Sequence, residues 1–230
     1  KLITFVPHRI FYNPSTYLSA SLTTISNDFY KITNTPPGLL WKTSANDKLK
    51  FENLHSFLWL TRLDRKNSKI ITKDIIKSWI NIFFNYDPNT WAMEITARRI
   101  IAWSSNTDLT LEDSDKAYKE KIFLSLIKQS NFLLKNLKSL FYSPSRIICC
   151  TAIILYGMMF KEYNPSYKIG IKELEKTIKN YFDSTGFPKS RNPEEVFICI
   201  KYLILIREWH KEAQRPIPDF LNEIISKCGN

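Results

Sequence analysis

A chain of 230 residues with 44% hydrophobic side chains can fill one sizeable domain or two small ones, so disorder is not its default. Only 5 glycines are present, and neither G-x-G-x-x-G nor G-x-x-x-x-G-K occurs, which argues against a glycine-rich nucleotide fold. The net charge of +11 favours polyanions (nucleic acid, anionic lipid or acidic polysaccharide), although the lysines are scattered and part of the excess can reflect biased codon usage.

In chain order, residues 1–45 read as an irregular segment packing on the domain, punctuated by Pro7, Pro14, Pro36 and Pro37. From about residue 50 the hydrophobic period becomes helical. Leu54, Phe57 and Leu58 share one face. Thr72 is placed to cap a helix carrying Ile75, Ile76, Trp79, Ile80 and Phe83. A turn around Pro88 leads into a helix from Trp91 to Trp103. Ser114 is expected to cap a long helix through Leu137, and Pro144 to start one that is apolar nearly all round, hence central. Ile171, Leu174, Ile178 and Phe182 mark another, Pro193 opens one through Trp209, and Pro218 opens the last. About eight helices joined by short polar links make an all-α domain over residues 46–230, and pattern alone allows a bundle, a solenoid or a toroid.

The longest uncharged run, Ile147 to Phe160, is shorter than the roughly 20 apolar residues a membrane span needs. Cys149, Cys150, Cys199 and Cys228 include no C-x-x-C pair, and His8, His55 and His210 are far apart, so no metal or other cofactor is expected. The chain starts on Lys1 without a leader pattern and stops just past a helix pattern. We therefore expect a fragment or processed product that lacks a following domain.

Two segments carry candidate site chemistry. In the first, Glu94 and Arg98 are four apart on a helix, with Trp91 and Arg99 beside them. Sugar faces stack on aromatic rings and acidic sugars pair with arginine, so the group suits a carbohydrate site. It equally suits a solvated surface pair beside core tryptophans. In the second, Gly186 to Pro193 is a loop that delivers Lys189, Ser190 and Arg191 to a helix N-terminus capped by Asn192. Here the plain alternative is that Asn192 is only a cap and Arg191 only a helix-end charge.

Together the segments Trp91, Glu94, Thr96-Ala97-Arg98-Arg99 and Gly186, Ser190-Arg191-Asn192-Pro193 resemble the helical N-terminal part of bacterial heparinase II/III family proteins, in particular their alphaproteobacterial branch. The likeness runs over about residues 50–227, with Phe57-Leu58-Trp59-Leu60 and Pro216-x-Pro218 fitting as well. It implies an incomplete α/α toroid of antiparallel helical hairpins, a missing C-terminal beta-rich domain of the same protein, and a periplasmic or cell-envelope setting. It also implies an acidic, uronate-containing polysaccharide as partner and β-elimination as the reaction. Arginine or amide donors would neutralise the uronate carboxylate while a Tyr or His moves the proton. The chain departs from the characterised lyases at their Asn-His pair, where Ser143-Pro144-Ser145-Arg146 stands. It departs again after the loop, where Glu194 and Glu195 replace a Tyr and a His. No catalytic base is therefore assigned, and the isolated chain is expected to be inactive. The substrate-binding expectation rests on Trp91, Glu94, Arg98, Arg99, Lys189, Ser190, Arg191 and Asn192. The alternatives are a non-catalytic acidic-glycan-binding module of the same fold, or an all-α scaffold for protein or nucleic acid. Nucleic acid ranks last because the basic residues are diffuse.

Overall fold

The computed structural model describes residues 5–7, 9–22, 29–42 and 47–229. The described residues are helical and contain no β-strand, only an isolated antiparallel bridge between Phe182 and Pro188. The helices are α1 (Phe29–Asn34), α2 (Pro37–Leu40), α3 (Lys48–Ser56), α4 (Lys69–Phe83), α5 (Met93–Ser105), α6 (Thr107–Thr110), α7 (Lys116–Asn136), α8 (Pro144–Met159), α9 (Asn164–Tyr181), α10 (Pro193–Glu212) and α11 (Asp219–Cys228). Eight of these have nine or more residues, and seven coincide with hydrophobic patterns; in the first, α3 ends at Ser56, Phe57 turns left-handed at φ 59° and Leu58 opens a 3-10 stretch, so Leu54, Phe57 and Leu58 do not share one helical face. No helix is long and apolar enough to cross a membrane among the described residues.

The N-terminal region departs from the expectation of extended segments and loops. Its described part holds a 3-10 stretch, Thr16–Leu22, and the short helices α1 and α2. It docks through specific bonds. The Phe11 amide donates to the Met159 carbonyl at 2.7 Å, and the Tyr163 hydroxyl donates to the Phe5 carbonyl at 2.7 Å. The Tyr12 hydroxyl donates to Glu212 at 2.5 Å. His8 lies outside the described residues.

Two caps differ from expectation. The α4 helix opens at Lys69, and Thr72 is buried inside its first turn because it falls on the same stripe as Ile75, Ile76 and Trp79. At α7 the cap is Asp115, not Ser114; its carboxylate accepts the Tyr118 amide at 2.7 Å. A carboxylate at this position also favours the positive end of the helix dipole. At α8 and α10 the expected starts hold, with Pro144 and Pro193 in the first turn.

Helix α8 is the centre, buried without interruption from Arg146 to Met159. It packs on α9, α5, α10 and α7. Contacts between α8 and α9 run in opposite chain directions: Gly157 lies against Tyr167, Ile154 against Gly170, and Arg146 pairs with Glu173 at 2.8 Å. The same reversal relates α9 and α10, through Tyr167 to His210 and Tyr181 to Glu195. These three helices therefore alternate up and down. Glycine is required at the α8–α9 crossing, since a methyl on Gly157 would overlap the Tyr167 backbone and lie 2.7 Å from its Cα. On the other side of the core, Trp79 and Trp103 meet edge to face at 5.5 Å, and both contact Phe57.

Candidate functional site

Helix α5 is buried almost all round. Of its first seven residues, only Met93, Glu94 and Arg98 are partly exposed. The four-residue spacing places Glu94 and Arg98 side by side, and they form an ion pair with 34% and 24% of their side chains exposed. Ser145, in the first turn of α8, donates its hydroxyl to the second Glu94 oxygen at 2.6 Å. Tyr202, buried on α10, brings its hydroxyl within hydrogen-bonding range of the Arg98 guanidinium, and Glu52 of α3 acts on it through its charge. Burial works against the Arg98 charge, but Tyr202, Glu94 and Glu52 outweigh it and hold the guanidinium above its ordinary pKa. Burial likewise raises Tyr202, with Arg98 pulling the other way. The Arg98 Nε is buried and has no acceptor in the protein. The cluster thus presents a partly exposed, fixed cation at the junction of α5, α8 and α10, with the Nε donor enclosed beneath it.

Two of the residues expected to face substrate do not. Trp91 is 2% exposed, and its indole donates to the Phe83 carbonyl at 2.9 Å. It closes the turn between α4 and α5 and offers no stacking face to solvent. Arg99 is fully buried. Its guanidinium donates to Gln129 at 2.7 Å, to the His55 and Thr90 carbonyls at 3.0 Å each, and to Thr96 at 3.3 Å. It also stacks 4.0 Å over the Trp79 ring. Burial lowers its pKa well below the usual value. Arg99 is a latch joining α5 to α3, α7 and the Thr90 turn. Five of the six tryptophans, Trp59, Trp79, Trp91, Trp103 and Trp209, are buried, and Trp41 is partly so.

The second segment is a built loop. Asp183 organises it, accepting the Thr185 amide at 2.9 Å, the Thr185 hydroxyl at 2.6 Å and the Phe187 amide at 3.1 Å. Its other oxygen pairs with Arg191 at 2.9 Å. The Thr185 hydroxyl, the Phe187 and Thr185 amides and Arg191 together hold the Asp183 carboxyl down at about 2. Gly186 takes a left-handed φ of 86° and lies against α11, where an added Cβ would sit 2.5 Å from that of Lys227. Arg191 is also left-handed, at φ 60°, with 70% of its side chain exposed. Lys189 is exposed. Ser190 is exposed as well, its hydroxyl donating to Glu195, which also accepts from Tyr181. Asn192 caps α10 by accepting the Glu194 amide at 3.0 Å.

The two segments share a helix without meeting. Tyr202, the α10 contribution to the Arg98 cluster, lies ten residues past Asn192, roughly 15 Å along the axis at ~1.5 Å per residue. No hydrogen bond or ion pair joins residues 189–192 to Glu94 or Arg98 among the described residues. Ser145, Tyr202 and Glu52 were not singled out from sequence. For Tyr202 no local signal exists, because its role comes only from the packing of α10 on α5. His55 and His210 are interior groups. His55 accepts the Trp79 indole at 3.1 Å, and burial with the nearby Arg99 charge pushes its pKa down to about 3. His210 is bonded to the Ile206 carbonyl at 2.7 Å and to the Tyr167 hydroxyl at 2.9 Å, and burial lowers it as well. The four cysteines are unpaired. Among the described residues no group of three His, Cys, Asp or Glu side chains is placed to hold a metal ion.

Compared with family models, with curated proteins and with solved structures, the chain matches none.

Proposed function

We propose that the chain is the helical domain of a heparinase II/III-like polysaccharide lyase, an incomplete α/α toroid that binds an acidic, uronate-containing polysaccharide for β-elimination. The observation that carries the reading is Arg98. It is a partly exposed guanidinium, paired with Glu94 and beside Tyr202, so its charge reaches solvent at the junction of α5, α8 and α10. A uronate carboxylate is the ligand such a donor suits, because charge-assisted hydrogen bonds to guanidinium are strong and directional. In β-elimination the same contact lowers the acidity barrier of the proton beside the carboxylate. The alternation of α8, α9 and α10 is the hairpin order a toroid is built from.

A second reading, a glycan-binding module of the same fold without catalysis, is favoured by one observation. The groups around Arg98 are Glu94, Ser145, Glu52 and the buried Tyr202, while His55 and His210 are both fully buried and engaged elsewhere. Among the described residues no histidine is in place to take a proton there.

The test is incubation of the full-length protein, carrying the beta-rich domain that the lyase reading requires, with a panel of uronate polysaccharides, following the ultraviolet absorbance of unsaturated uronate ends, beside Arg98→Ala. A rise abolished by the substitution supports the lyase reading. Binding without a rise supports the module. Neither binding nor a rise rejects both.

A further inference from the structure

We infer that the outer face of α10 pairs with the same face of a second copy of this chain, the two helices running antiparallel. One side of α10 is interior and carries Cys199, Tyr202, Leu203, Ile206 and Trp209. Along the other side Glu194, Phe197, Lys201, Ile204, Glu208 and Lys211 follow one another at steps of three and four residues. That is the spacing of a seam between two helices. The outer side of a surface helix is ordinarily polar. Here Phe197 is 69% exposed and Ile204 36%, with Ile198 beside them at 37%.

The charges on this stripe select the partner. Glu194 and Lys201 have no ion-pair partner among the described residues. At the far end Arg207 and Lys211 share Glu208, at 3.0 Å and 2.9 Å, which leaves one positive charge uncompensated. Glu212, on the flank, is engaged by the Tyr12 hydroxyl and the Ser15 amide. The two ends of the stripe are therefore opposite in charge, in the sense that antiparallel helix dipoles favour. Read backwards, the stripe meets its own complement. Setting Glu194 opposite the Lys211 of the second copy closes both ends with ion pairs. The two Ile204 side chains then lie next to each other at the centre, with a Phe197 one turn further out on either side. Lys201 lies along this apolar run by its stem, and its ammonium reaches the Glu208 of the second copy one turn away. The seam from Glu194 to Lys211 is roughly 26 Å long at ~1.5 Å per residue. A lipid surface or a polymer of one charge sign would leave part of this alternating set unmatched. With two apolar positions per helix, the dimer is weak, in the micromolar range.

The experiment is sedimentation equilibrium of this 230-residue chain from low micromolar to near-millimolar concentration, with circular dichroism checking the fold of each variant. The expected result is a monomer–dimer equilibrium that Phe197→Glu weakens at least about tenfold. Because the pairing is antiparallel, Glu194→Lys and Lys211→Glu should each weaken the dimer, and the two together should restore it. A monomer at every concentration overturns the proposal. So does a dimer that Phe197→Glu leaves unchanged, since another face would then hold it. A charge-swapped double variant that associates no more tightly than the single variants overturns the antiparallel pairing.

Discussion

Arg98 and Arg99 are adjacent in the chain and opposite in environment. Arg98 reaches partly into solvent beside Glu94, while Arg99 is fully enclosed with four donor contacts and the Trp79 face. One step of a helix turns a side chain by about 100°, which here separates a partly exposed cation from an enclosed one. Removing each should therefore have different consequences. Arg99→Ala strands the Gln129 side chain and two backbone carbonyls in the core, and is expected to cost about 3–5 kcal/mol. Arg98→Ala removes a partly exposed pair and the partner of the buried Tyr202 hydroxyl, and should cost less, about 1–2 kcal/mol. Urea unfolding of the two variants measures this; equal losses would refute the division of roles.

The α8–α9 crossing predicts a second loss. Gly157→Ala sets a methyl against the backbone of Tyr167, which no rotamer change can relieve. Overpacking of this kind is expected to cost at least about 2 kcal/mol, and the melting temperature should fall by several degrees. An unchanged melting temperature would mean the two helices are not in such close contact.

Acid should destabilise the chain through His55. Its folded pKa is depressed to about 3 by burial and Arg99, against an ordinary value near 6.5. The unfolded chain then binds the proton more readily than the folded one. Stability is present above the unfolded pKa and lost as pH falls from about 6.5 toward 3. His210 shifts in the same direction. His55→Gln keeps an acceptor for the Trp79 indole without a titrating group, so its urea midpoint should fall less over this range. Parallel pH profiles for wild type and variant would contradict the assignment.

The loop before α10 depends on one carboxylate. Asp183→Ala removes the acceptor for the Thr185 and Phe187 amides and the partner of Arg191. Hydrogen exchange at those two amides should accelerate, while exchange within α8 stays as in wild type. Unchanged protection at Thr185 and Phe187 would show that the loop is held by other contacts.

Seven of the longer helices were legible in the sequence because each carries a 3.6-residue apolar period, several of them opened by proline, while the pattern from Leu54 to Leu58 runs across the left-handed break at Phe57. Asn192 and Pro193 marked the start of α10 correctly, since capping is local chemistry. The choice of Asp115 over Ser114 turned on a single residue between two good capping side chains, which pattern reading does not separate. The roles of Trp91 and Arg99 could not be read from periodicity. α5 is covered on nearly every side, so both faces of its pattern become interior, and a charged residue is retained inside by acceptors from three distant segments. A faint signal was available: Arg99 stands four residues from both Ile95 and Trp103, on the stripe that the core covers. The meeting of Arg98 with Tyr202, and of Glu94 with Ser145, joins residues about 50 to 100 positions apart and has no local trace.

The central claim is that Arg98 is a carboxylate-binding cation. The most direct test is the calorimetric affinity of the chain for a uronate oligosaccharide in wild type, Arg98→Lys and Arg98→Ala. The account predicts an affinity that falls at least about tenfold in Arg98→Ala and is partly restored in Arg98→Lys, with the fold intact. Equal affinity in all three would contradict it.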